Sequence, residues 1–444
     1  MSDLILEAVQ QVAELRAALQ FHEAHKGVAL TGLANSAKSV FCAGLAGACG
    51  AKSKVFCVAT RDEIKAMRAE LEGLFPNEPV VEFYPCHLPR VQADSQSLDV
   101  LAARASALRI MGGEIGGIVF VTAESLVQKQ SAPDGAVETI GLSVGDICDQ
   151  RVLMEKLLVA GYERTDQVDG LGQFSQRGAI LDVFPIGESK PLRLEWFDDS
   201  IESIRTFDLN TQRSEKLVQH LQISALQNDN GAKTATIFDC CAKDTLIFLD
   251  EPTKLWEMLA RFAKENEEYR ECIFQPEDLE QAAAKKDYFV LSALANNHFQ
   301  KYEQVTVPVR NNAPYNHNMN LLQEDLESYL RDGKTPVIMI ANTMKGRAFA
   351  DNLQSNSLPA VYSEDKLVEQ KINVVKGTLE RGFRFWNENW VLIAENDIFG
   401  VKKRKSPYKK QMGDQLQYFS DIKTGDYVVH AVHGIGRYEG VKTI

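Results

Sequence analysis

Between the apolar run Val28-Ala29-Leu30-Thr31 and another that begins at Val40 lies the segment Gly32-Leu33-Ala34-Asn35-Ser36-Ala37-Lys38-Ser39. A glycine, a lysine and a hydroxyl residue at this spacing, set between a strand and a helix, are what a phosphate-binding loop requires. In such a loop the backbone amides wrap the β-phosphate, the lysine neutralises it and the hydroxyl holds Mg2+. The pattern departs at one place. The glycine expected before the lysine is Ala37, whose Cβ should crowd the phosphate. Asp250 and Glu251, at the end of the run Leu246-Ile247-Phe248-Leu249, have the look of the acidic pair that holds a metal and orients water in these sites. Gly32, Ala37, Lys38, Ser39, Asp250 and Glu251 therefore read as a degenerate nucleotide-binding set. The plainer reading is a remnant loop that caps a helix, and the rival is an active P-loop ATPase or helicase fragment using the same side chains.

A second set could do recognition chemistry. In Leu192-Arg193-Leu194-Glu195-Trp196-Phe197, period two puts Leu192, Leu194 and Trp196 on one face and Arg193, Glu195 and Phe197 on the other. A large aromatic among charges has the composition of an interface hot spot, although Phe197 could also fold back over a sheet edge. The basic run Lys402, Lys403, Arg404, Lys405, Lys409 and Lys410 is interleaved with Tyr408 alone, so it reads as a solvated linker before it reads as a nucleic-acid contact. His430 and His433 lack neighbouring ligands at metal spacing, and no residue is assigned a catalytic or metal-binding role.

The elements that position these residues follow from periodicity. From Gly27 the chain reads as a βαβαβ run, which implies a parallel sheet covered by helices. After the turn-rich Ser131-Ala132-Pro133-Asp134-Gly135, a helix over 149–160 and short alternating strands follow, including a hairpin turning at Asp198-Asp199-Ser200. Thr245–Pro252 then returns to the buried-strand style of the first unit, so the middle unit is expected to be an insertion. The expected division is an α/β domain over 1–130 and 226–315, a small α+β insertion over 131–225, and a third α/β domain over 316–400. A basic linker over 401–420 and a β-rich segment over 421–444 complete it.

At 444 residues the chain is too long for one core, and about three domains are expected. Hydrophobic residues at 45% and charged residues at 25% fit a soluble protein, with no apolar run of membrane-spanning length. The first twenty residues read as one acidic amphipathic helix without secretory features, so a cytoplasmic location is expected. The net charge of −12 argues against a surface that binds nucleic acid everywhere. The eight cysteines have no CxxC spacing and read as reduced core residues.

Residues 170–185 and 192–208 resemble the domain that the repair protein UvrB uses to bind UvrA. The same block occurs in the transcription-repair coupling factors. Leu392–Gly400 is similar to the segment closing their third domain, and Gly425–Val441 to the start of their polymerase-interacting module. A UvrB-type damage-recognition protein would carry a long hairpin near Phe83–Asp94, which this sequence lacks. The resemblance implies a UvrB-like, RecA-like first domain that has lost ATP binding, and UvrA recruitment through Arg177, Arg193 and Phe197. It also implies an SH3-like barrel beginning near Asp421 that binds the β subunit of RNA polymerase. The chain is expected to be an N-terminal portion stopping inside that barrel at Ile444, with no cofactor of its own. ATP, Mg2+ and double-stranded DNA would be engaged by motor domains beyond it.

Overall fold

The computed structural model describes residues 2–24, 27–86, 98–131, 139–186, 188, 190–224, 233–294, 302–364, 366–385, 388–400, 427–430 and 434–437. Seven parallel strands form the largest sheet, in the order Glu303–Thr306, Gly27–Thr31, Tyr288–Ser292, Leu246–Asp250, Ser53–Val58, Gly117–Thr122 and Val80–Phe83. Its inner strands are buried along their length, which is why they read as unbroken apolar runs instead of alternating ones. Alternate residues serve two cores. Phe56, Phe120 and Phe248 meet the helices Ser36–Ala48 and Arg61–Leu74, whereas Val55, Val119 and Ile247 meet Leu98–Met111 and Pro252–Glu265.

Chain that leaves this sheet at Gln130–Ser131 comes back at Lys233–Ala235, and the two pieces pair antiparallel. A second ladder, Thr139–Ser143 with His220–Ser224, follows it. Beyond these ladders lies a six-stranded sheet in the order Ser214–Val218, Ser200–Phe207, Leu192–Phe197, Ile180–Val183, Gln173–Arg177 and Glu163–Arg164, antiparallel except for the last pair. The helix Gln150–Val159 packs Leu153 and Leu157 into the core with Leu192, Leu194 and Trp196. Asp149 starts it by accepting from Arg151 N at 2.7 Å, and Gly161, at φ 90°, turns the chain away after its end.

A third, mixed sheet runs Val309–Asn311, Phe383–Phe385, Trp390–Ala394, Thr335–Ile340, Ile372–Lys376 and Ala360–Tyr362. It does not have a separate core on both faces. Met339, Phe383, Phe385 and Trp390 join Val40, Phe41 and Leu45 in one apolar cluster, with the Phe41 and Phe385 rings 6.3 Å apart. Tyr427–His430 and Gly434–Arg437 pair antiparallel.

Three details differ from the sequence reading. The N-terminal helix is two helices, Ser2–Gln10 and Ala13–Ala24, because both apolar stripes must turn onto the first core. The third sheet takes a strand from Val309–Asn311, ahead of the Asn316 where that unit was expected to begin; with three residues, it is too short for alternation to reveal. Four cysteines, Cys42, Cys57, Cys240 and Cys241, are buried, but Cys49 is exposed at the end of its helix. The basic run from Lys402 to Lys410, the turn residues 132–135 and most of 421–444 lie outside the described residues, as does most of the region near Phe83–Asp94.

Candidate functional site

The segment from Gly32 to Ser39 lies where the spacing puts it, after Gly27–Thr31 and at the head of Ser36–Ala48. Gly32 has φ 86°, and a Cβ there would run into the carbonyl oxygen of Val307, so the loop is pinned beneath the segment following Glu303–Thr306. Asn35 takes φ 51° and ψ −139°, an uncommon backbone for a residue with a side chain. Lys38 is buried, and its Nζ reaches Asp250 Oδ1 at 2.5 Å and Glu251 Oε1 at 3.0 Å. Burial works against the ammonium, but the charges of Asp250 and Glu251 outweigh it and hold Lys38 above its ordinary pKa.

The other members of the set are also engaged within the chain. Glu251 sits in the left-handed region at φ 42° and accepts from Ala293 N at 2.9 Å and Ser292 Oγ at 3.2 Å. Ala37 is part of the apolar core. Ser36 donates to Glu70 and accepts from Arg381 N at 2.9 Å, while Ser39 also bonds to Glu70. A bound phosphate would have to compete with two carboxylates for Lys38, and Mg2+ would have to take Ser39 from Glu70. Among the described residues there is no cluster of His, Cys, Asp and Glu arranged to hold a metal ion. Glu70 was not visible as a member of this set from sequence, because its partners lie 34 and 310 residues away.

The second set lies on the six-stranded sheet. Directly opposed residues of antiparallel strands share a face, and the register runs Arg177, Ile180, Glu195, Ser203 in one row and Ser175, Asp182, Arg193, Arg205, Leu217 in the next. Phe197, Ser200 and Ile147 make a third row. Arg177, Arg193 and Phe197 are therefore on one face, opposite the helix-covered core. Their surroundings differ. Phe197 is 73% exposed and does not fold over the edge, and Arg177 is exposed and makes no ion pair among the described residues. Arg193 is instead held by its own sheet: Nε and Nη2 reach the two oxygens of Asp182 at 2.7 and 2.9 Å, Nη1 donates to Gln212 O at 3.2 Å, and the guanidinium lies 4.7 Å from the centre of the Phe207 ring. Val168, Phe184 and Phe207 cluster over this end of the face, leaving the Arg177 and Phe197 end open. Asp182 escaped the sequence reading because its role depends on strand register, which alternation alone does not supply.

Residues 140–228 match the family model described as the UvrB interaction domain, and residues 422–444 the one described as the CarD-like/TRCF RID domain. The transcription-repair-coupling factor of Bacillus subtilis is 23% identical over 95% of this chain, and that of Staphylococcus haemolyticus is likewise 23% identical over 95% of it. The chain is homologous to the transcription-repair-coupling factors. It spans 43% of the length of the Bacillus coupling factor and 42% of the Staphylococcus one. Arg177, Arg193 and Phe197 fall inside the segment matching the UvrB interaction domain, and Gly32–Ser39, Asp250 and Glu251 fall outside both matched segments. A solved structure described as a hypothetical ATP-dependent RNA helicase from Sulfolobus tokodaii covers 85% of the chain and 82% of its own at 10% identity, with a TM-score of 0.29, too low to bear on the fold.

Proposed function

We propose that this chain is an adaptor that docks UvrA, bringing the excision-repair machinery to sites where RNA polymerase has stalled. The observation that carries this reading is the open end of the six-stranded sheet, where an exposed phenylalanine and an exposed arginine share a face inside the segment matching the UvrB interaction domain. In it, Phe197 enters an apolar hollow on UvrA and Arg177 meets an acidic group. Arg193 acts through Asp182, keeping the face flat and charged.

The β-rich segment matching the CarD-like/TRCF RID domain is assigned to an SH3-like barrel that contacts the β subunit of RNA polymerase. The whole coupling factor is read as an ATP-dependent translocase on double-stranded DNA, with ATP and Mg2+ bound by motor domains and not by this part. The first sheet is read as a UvrB-like, RecA-like domain whose nucleotide site has become a structural joint, and residues 131–225 as its UvrA-binding insertion.

Calorimetric titration of the chain with UvrA tests this. Phe197→Ala is expected to weaken binding by about 2–4 kcal/mol with the melting temperature unchanged, and Arg177→Glu to abolish it. Arg193→Ala should lower stability as well as affinity, since it leaves the Asp182 carboxylate buried without its partner. Mg-ATP should give no saturable heat. Saturable nucleotide binding with no UvrA binding would overturn the adaptor reading in favour of an ATPase.

A further inference from the structure

The open face carries more exposed apolar side chain than Phe197 alone accounts for. Ile147 is 85% exposed and Leu217 68% exposed. Isolated apolar residues are ordinary on a soluble surface, but three large ones sharing a face with arginines have the composition of an interface centre. Their placement is set by main-chain pairing. Gly145 N donates to Ile201 O at 2.8 Å, Ile201 N to Asp146 O at 2.9 Å and Cys148 N to Asp199 O at 2.9 Å. Residues 145–148 therefore continue the sheet edge that Ser214–Val218 begins. Across that edge Ile147 opposes Ser200, which opposes Phe197, so the two apolar residues flank one serine with Cα atoms about 10 Å apart. Leu217 reaches the same face by opposing Arg205, which opposes Arg193. The core contacts of these two segments are made by their neighbours Val144, Cys148 and Val218.

We infer that Ile147 and Leu217 are contact residues of the docking face, so that the partner meets three apolar anchors, Phe197, Ile147 and Leu217, beside the Arg177 guanidinium. This rests on the UvrA-docking reading, and it specifies the partner surface: apolar hollows at three points, with a carboxylate facing Arg177. The footprint is wider than Arg177, Arg193 and Phe197 alone would give, and it includes a segment outside the strands that carry them.

The test is titration of the full chain with UvrA. Ile147→Asp and Leu217→Asp are each expected to weaken binding at least about tenfold with unchanged melting temperature. Ile147→Ala, which introduces no charge, should weaken it about threefold or more. Met344→Asp alters an 81% exposed methionine on the helix Thr343–Ser355 and should bind as the parent does. Normal binding by both aspartate variants while Phe197→Ala fails would overturn this inference and leave the adaptor reading standing. Failure of the unaltered chain to bind UvrA would remove both.

Discussion

Removing the ammonium of Lys38 would leave the carboxylates of Asp250 and Glu251 facing each other with no cation between them, Asp250 in the core and Glu251 at its edge. Lys38→Ala is therefore expected to destabilise the fold by about 3–5 kcal/mol, as breaking one side of a buried ion pair does, and urea denaturation would measure it. A working nucleotide site predicts the reverse pattern, with stability nearly unchanged and phosphate binding lost. At this scale the sequence was informative about residue type and less so about role. Gly32, Lys38 and Ser39 could be picked out by spacing, and Ala37 as the departure from the phosphate-loop pattern, but that the lysine neutralises internal acids follows only from the distance between residues 38 and 250 in the fold.

The helices Ser36–Ala48 and Arg61–Leu74 and the turn at Glu380-Arg381 are tied together by one buried carboxylate, Glu70, which accepts from Ser36, Ser39 and Glu380 N. Burial raises its pKa above the ordinary glutamate value, and the hydrogen bonds only partly offset this. A carboxyl whose pKa is higher folded than unfolded contributes stability that is fully present below the unfolded value near 4.5 and is lost as pH rises through the folded one. Glu70→Gln keeps an acceptor oxygen but cannot ionise, so its melting temperature should fall less than the parent's between mildly acidic and neutral pH. Equal slopes in the two proteins would contradict this. Elements with a clear period were legible beforehand: the hairpin across Asp198-Asp199, the helix after Asp149 and the buried parallel strands. The short strands Val309–Asn311 and Phe383–Phe385 were not, because pairing and packing on Phe41, not local pattern, make them strands.

How the whole molecule comes apart depends on which sheets share a core. The first and third sheets share one apolar cluster, whereas the six-stranded sheet has its own, touching the rest through Ala102 and Ala105 of the helix Leu98–Met111. Differential scanning calorimetry should therefore resolve two transitions, and Leu194→Ala should lower only the one belonging to the six-stranded sheet, by about 2–5 kcal/mol. A single transition shifted as a whole would mean that the contact through that helix couples them fully. The paired segments Gln130–Ser131 and Lys233–Ala235 carry a consequence of another kind. Because Ser131 and Lys233 are directly opposed, the entry and exit of everything between them are about 5 Å apart, a gap that a tight turn can bridge. Recombination could lengthen, exchange or delete the intervening hundred or so residues by cutting at one spot on the surface. Given the docking role proposed above, such an exchange would change which partner is recruited while the first and third sheets kept their shared cluster.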